Sequence, residues 1–111
     1  MNLLSITVGG QKYMSSKLTM SLTREAMKIN RDALALAEKI KDVDPTAMDL
    51  DSSLDMLNQL EDQMDRKVLL ICRVYGDKFS VSDLESEFTQ AEIDLEINRI
   101  IQAASGVISK N

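Results

Sequence analysis

The sequence predicts a helix-dominated α+β domain, an N-terminal β-hairpin followed by about four α-helices. Three observations predict it. Leu4, Ile6 and Val8 alternate with Ser5 and Thr7 up to a Gly9-Gly10 pair, the pattern of a strand running into a tight turn. Beyond residue 20 the apolar residues change to steps of three and four, the period of a helix. In the last third, two helix-start signatures, Ser80 with Asp83 and Thr89 with Glu92, follow one another closely.

The hairpin is expected over residues 1–18, its second strand running from about Gln11 to Leu18. A first helix over 21–42 follows from Leu22, Ala26, Ile29, Ala33, Leu36 and Ile40, which share one face. Arg24, Lys28, Arg31 and Lys39 lie outside that stripe and give the helix a basic face. It should stop before Pro45, because proline disfavours helix for the residue preceding it.

A second helix is expected over 51–75, opened by Ser52 and Asp55 in the manner of a capping box. Leu50, Leu54, Leu57, Met64, Val68 and Ile71 form its stripe, broadened by Leu60 and Cys72. Residues 68–72 (Val-Leu-Leu-Ile-Cys) are apolar on all sides and should be the most buried turn of the chain. Gly76 is placed to end the helix in a left-handed conformation.

A short helix over 81–87 and a longer one over 90–105 complete a single domain of residues 1–111. Phe79 and Leu84, then Phe88 and Ile93, have the spacing of hydrophobic staples across the two caps. Ile93, Ile97, Ile100, Ile101 and Ala104 form the apolar side of the last helix, and Gly106 follows it.

Composition narrows the function. The chain has 111 residues, 44% of them hydrophobic, one cysteine and no histidine. A lone cysteine makes no internal disulfide and suits a reducing cytoplasm. The start, MNLLSITVGGQK, has neither a basic leader nor the apolar run of a signal peptide. No segment approaches the roughly 18 consecutive apolar residues of a membrane span. The net charge of −5 argues against nucleic acid as the main partner. That charge is divided. Residues 1–41 are net basic and residues 42–111 strongly acidic. Such a division either draws copies together head to tail or simply gives two solvated faces.

Catalytic chemistry finds little support. Without histidine the commonest general acid–base group is missing. Cys72 sits in the most apolar run, whereas a reactive thiolate needs an exposed, electropositive setting. Gly9-Gly10 lacks the third glycine and the Lys-Ser/Thr of a phosphate-binding loop. Asp49, Asp51, Ser53 and Asp55 alternate like a calcium loop, but Leu54 and Leu60 stand where that loop requires glycine and glutamate. Glu85, Glu87, Glu92, Asp94 and Glu96 read as surface acids early in their helices. The expectation is therefore no enzyme, with no catalytic, cofactor-binding or metal-binding residues and no cofactor. The seven methionines are either gap-fillers of the core or part of an adaptable contact surface.

The order of the pieces resembles a known family. Ile6-x-Val8-Gly9-Gly10-Gln11-Lys12-Tyr13 leads into Leu18-Thr19 and an amphipathic helix. Far downstream comes Val74-Tyr75-Gly76-Asp77-Lys78-Phe79-Ser80-Val81-Ser82-Asp83-Leu84 and an Ile-rich helix. This is similar to the tail assembly chaperones of siphophages infecting Gram-positive hosts, whose C-terminal part reads apolar-x-Gly-(Asn/Asp)-x-Phe-(Thr/Ser)-x-x-Asp-(Leu/Phe). Residues 42–66 match only in being helical. The resemblance implies a bacteriophage protein of the host cytoplasm that coats the tape measure protein, helps recruit tail tube subunits, and is absent from the mature virion. A homo-oligomer is expected, with neither nucleic acid nor membrane as partner. The alternative is a small oligomeric adaptor or a structural or regulatory protein of a phage or prophage, without chaperone activity.

Overall fold

Gly9 and Gly10 both take positive φ, +61° and +80°, a backbone that L side chains rarely adopt and that a two-residue hairpin turn requires. They join β1 (Ser5–Val8) to β2 (Gln11–Met14), paired antiparallel with Ile6 opposite Tyr13 and Val8 opposite Gln11. The computed structural model describes residues 4–44 and 46–105. Four helices follow the hairpin: α1 (Met20–Lys41), α2 (Leu50–Val74), α3 (Val81–Glu87) and α4 (Gln90–Ser105). The fold is α+β and helix-dominated. Pro45 and Gly106, assigned above as helix stops, lie outside the described residues.

The second strand is shorter than expected. The hairpin pairing carries one residue past Met14, to Ser15 opposite Leu4, and stops there because Ser16 bonds elsewhere. Ser15 N–H donates to the Leu4 carbonyl, and both the N–H and the hydroxyl of Ser16 donate to the Val74 carbonyl at 2.9 Å. Val74 is in the last turn of α2, where carbonyls have no partner within the helix, so the chain leaving the hairpin caps it. At the other end of the hairpin, the Glu87 carboxylate accepts the Gly9 N–H at 2.7 Å and ties the turn to α3.

Local capping sets most helix boundaries. Thr19 caps α1 and Ser80 caps α3, the latter through a reciprocal box with Asp83. The Ser80 N–H bonds hold the Asp83 carboxyl below the usual range. Thr89 and Glu92 form a second box at the start of α4, with bonds of 2.9 and 3.2 Å. Helix α2 departs from expectation. Its cap is Asp49, whose carboxylate accepts the Ser52 N–H at 2.8 Å, so the helix begins nearly a turn before the Ser52–Asp55 box. The alternation of acids at 49–55 is thus partly a capping signal. At its other end α2 closes in a Schellman motif: Gly76 N–H bonds the Arg73 carbonyl and Asp77 N–H the Cys72 carbonyl, with φ of +76° and +58°.

The core gathers at one end of α2. Val68, Leu70, Ile71, Cys72, Val74 and Tyr75 are buried against Ile6 and Val8 of the hairpin, Ala26 and Ile29 of α1, Leu84 of α3, and Ile93, Ile97 and Ile100 of α4. Leu69 is the exception within the apolar run and faces solvent. Phe79 packs edge-on against Tyr13 at 5.1 Å and against Tyr75 at 5.9 Å between ring centroids.

A polar relay crosses this core. The Tyr75 hydroxyl donates to Glu96 at 2.8 Å, Arg99 pairs with the other oxygen of Glu96, and Arg99 also donates to the Ser5 carbonyl at 3.2 Å. Glu96 is only 5% exposed, which corrects its reading as a surface acid. A buried carboxylate needs such partners, since an unpaired one is strongly disfavoured. Burial and the adjacent Glu96 push the Tyr75 phenol far above its usual range, so it stays a donor.

Phe79 is buried and Phe88 half-buried, while Ser80 and Thr89 are exposed caps. Phe79→Ala is therefore expected to cost about 3–5 kcal/mol of folding stability. Ser80→Ala and Thr89→Ala should each cost about 1 kcal/mol. Thermal and urea melts check this order; an unchanged midpoint for Phe79→Ala contradicts the packing described.

Candidate protein-binding surface

Helix α2 carries one apolar stripe, but only its C-terminal half is covered. At 3.6 residues per turn, Leu50, Leu54, Leu57, Met64 and Val68 fall within a sector of about 80°. Val68 is buried, whereas Leu50, Leu54, Leu57 and Met64 are 42–73% exposed. The stripe that periodicity identifies is thus covered by the fold only in its second half. The reason is the reach of α4. Asp94, in the first turns of α4, pairs with Lys67 at 2.8 Å, and Glu96 bonds to Tyr75, so α4 runs beside the C-terminal half of α2. Nothing among the described residues lies over the stripe before Met64.

The other side of that half meets α1. Met56, Gln59 and Leu60 are half-buried and Gln63 is buried there, with Leu36 of α1 also buried. Asp32 bonds Arg66 at 2.8 Å, and that guanidinium holds its carboxyl below the usual range; Lys39 approaches Asp55 at 4.0 Å. A cleft of about 460 Å³ between the helices is lined by Asp32, Lys39, Asn58, Asp62, Gln63 and Arg66. Asp32 and Arg66 pair across it, which makes it a helix–helix seam with polar contents. These pairs also change the reading of the divided charge. The basic first helix and the acidic second pack side by side, not at opposite ends of the molecule.

Where α4 begins, the bare stripe runs into an apolar groove of about 330 Å³ lined by Met64, Val68, Phe88 and Ile93, with Lys67 and Glu85 at its rim. Phe88 is the half-buried aromatic of this groove, its ring packed on the core on one side and open on the other. Helix α1 adds a second exposed line, Met20, Met27 and Leu34, opposite its buried Ile29. Each methionine from Met14 to Met64 is exposed or half-buried, so these side chains lie at the surface and not in the core. Adaptable apolar side chains at a surface suit contact with another protein.

The remaining candidate chemistry is dispersed. Cys72 is 3% exposed, and burial, reinforced by Asp77 and Asp83, raises its thiol pKa. Glu87, Glu92, Asp94 and Glu96 each hold a structural hydrogen bond, to Gly9, Thr89, Lys67 and Tyr75 respectively. No group of three or more acids or cysteines converges as a metal site among the described residues, and no described helix is long and apolar enough to cross a membrane. No family model, curated protein or solved structure matches the chain.

The sequence identified the stripe as one apolar face of the helix. What it missed is that the half of α2 beyond the reach of α4 stays bare. The chemical state of Cys72 gives a direct check of the inner half. Native protein at neutral pH is expected to react with a thiol reagent only as fast as it unfolds, and Cys72→Ala to cost about 1 kcal/mol through lost packing. Labelling within seconds under native conditions contradicts the burial of this turn.

Proposed function

We propose that this chain is a non-enzymatic assembly chaperone that covers an apolar, helical client protein. The observation that carries the reading is the uncovered stripe of α2 opening into the groove at Phe88, a continuous apolar track bordered by charge. Tracks of this kind accept the apolar face of an amphipathic helix, with side chains at three- and four-residue spacing as anchors. A monomeric domain rarely leaves so much aligned apolar surface bare without a contact to make. A half-buried aromatic at the groove's centre supplies the kind of anchor that dominates such interfaces.

The resemblance supplies the identity of the client. In this reading the chain acts in the cytoplasm of an infected bacterium, binds the tape measure protein of a long-tailed phage, and yields it to tail tube subunits as the tail assembles. It then leaves and is absent from the finished virion. The Gly76-Asp77-Lys78-Phe79-Ser80 segment that carries the resemblance acts structurally, closing α2 and starting α3.

Co-expression with the tape measure protein encoded beside it tests the proposal. The chain is expected to co-purify with that protein and keep it in the soluble fraction. Phe88→Leu, which keeps an apolar side chain on the core, should weaken capture several-fold while the melting midpoint stays close to the parent's. Failure to capture any segment of the tape measure protein contradicts the proposal. So does recovery of the chain in purified particles at stoichiometric amounts, which would mark a structural subunit.

A further inference from the structure

We propose that copies of this chain bind one another heterologously, the outer line of α1 on one copy packing against the bare stripe of α2 on the next. The two surfaces match in three respects. Met20, Met27 and Leu34 recur every seven residues along α1, and Leu50, Leu57 and Met64 recur every seven along α2, with Leu54 between. Seven-residue spacing is that of the seam between two packed helices. Each line runs fourteen residue steps, or about 21 Å at 1.5 Å per residue, so the two are equal in length. All seven side chains are exposed.

Their charges are opposite. Arg24 and Arg31 lie within the α1 line and Lys28 beside it, all exposed. Glu61 lies within the α2 line, with Asp65 and Asp51 beside it, likewise exposed. Arg31 has only its neighbour Asp32 as an ion partner, and the shorter contact of that carboxylate goes to Arg66. Among the described residues Arg24, Glu61 and Asp65 have no ion partner closer than 4.0 Å. Pairing like with like would set arginine against arginine or acid against acid, which disfavours a two-fold dimer through either surface alone.

A molecule cannot satisfy these surfaces by itself. The α1 line stands opposite Ile29, which faces the core, and α1 meets α2 through the Asp32 and Lys39 side. The α2 stripe likewise points away from the Gln59–Gln63 side that meets α1. The two surfaces therefore face outward on different sides of the helical pair. A contact that joins one surface to a different one on the next copy leaves a free surface at each end, and closes a ring or continues as a helix. The seam meets the groove at Met64, so a client that runs along the stripe displaces the next copy, whereas one seated at Phe88 leaves the seam intact. Mass measured without client and capture of the client therefore read the two proposals separately.

Charge reversal tests the pairing. The wild-type chain is expected to exceed monomer mass by light scattering at low salt, and the mass should fall as salt rises, since exposed charges are screened over about 8 Å at physiological ionic strength. Arg24→Glu with Arg31→Glu leaves two acidic surfaces, and Glu61→Lys with Asp65→Lys leaves two basic ones. Each double variant alone should be monomeric at low salt with a melting midpoint like the parent's, and an equimolar mixture of the two should regain the higher mass. Recovery on mixing also shows that both variants are folded. A wild-type chain that is monomeric at every salt and protein concentration overturns the proposal. So does either variant that still assembles alone, or a mixture that stays monomeric. If the acid reversal abolishes tape measure capture and leaves self-association intact, the α2 stripe is a client surface and the proposal is wrong.

Discussion

The architecture depends on a mismatch of length. Helix α2 has 25 residues and α4 has 16, about 37 Å against 24 Å at 1.5 Å per residue. An amphipathic helix gains stability by burying its stripe, and it can bury only what a neighbour reaches. Helix α4 docks on the C-terminal half of α2, and the hairpin and α3 close the same end. The core therefore forms there, while the other halves of α1 and α2 extend together from it and give the molecule its 49 × 30 × 23 Å outline. In that extension each helix has one partner and one bare side.

The core end is made specific by hydrogen bonds that join distant parts of the chain. Ser16 caps α2 from the hairpin, Glu87 holds the Gly9 turn from α3, and Tyr75, Glu96 and Arg99 link α2, α4 and the Ser5 carbonyl. Loss of a donor to a buried carboxylate costs on the order of 1–3 kcal/mol, so the relay constrains which helices can lie beside one another. Among the described residues no comparable network ties down the far end, where the contacts are a buried leucine and glutamine, half-buried neighbours and two cross-helix ion pairs, one of them at 4.0 Å. Pairs as open to solvent as Lys39 and Asp55 contribute little. The molecule thus has a firmly specified base and a lightly held arm; the bare stripe of α2 is on the arm, and the exposed line of α1 is on the outer side of the base, behind Ala26 and Ile29.

Whatever depends on residues within about four positions was legible in the sequence. Gly9-Gly10, the Ser80–Asp83 and Thr89–Glu92 boxes and Gly76 act on their own neighbourhoods, and the elements they delimit could be placed from them. The exception among caps, Asp49 in place of Ser52, arises where two good capping residues stand three apart and either could begin the helix. Long-range features were not legible. Glu96 looks like a surface acid until Tyr75, far upstream in sequence, is found beside it. The α2 stripe has one period from Leu50 to Ile71, and nothing in that period shows where its cover ends. Periodicity identifies an apolar face; only tertiary contact shows whether the fold or another molecule covers it. The candidate surface was therefore visible as residues and invisible as a surface.

The proposed assembly requires the bare half of α2 and the outer face of α1 to be the two complementary halves of one interface between copies. Hydrogen exchange followed by mass spectrometry on the intact chain tests this most directly. Amides of residues 68–75 should be the slowest to exchange at any concentration, as global opening limits them. In dilute, high-salt solution residues 50–64, which extend beyond the core, should exchange faster than these. On concentration at low salt residues 50–64 and the outer face of 20–34 should gain protection together, while residues 68–75 stay as they were. Uniform protection along α2 from the outset, or protection that never changes with concentration and salt, would contradict the account.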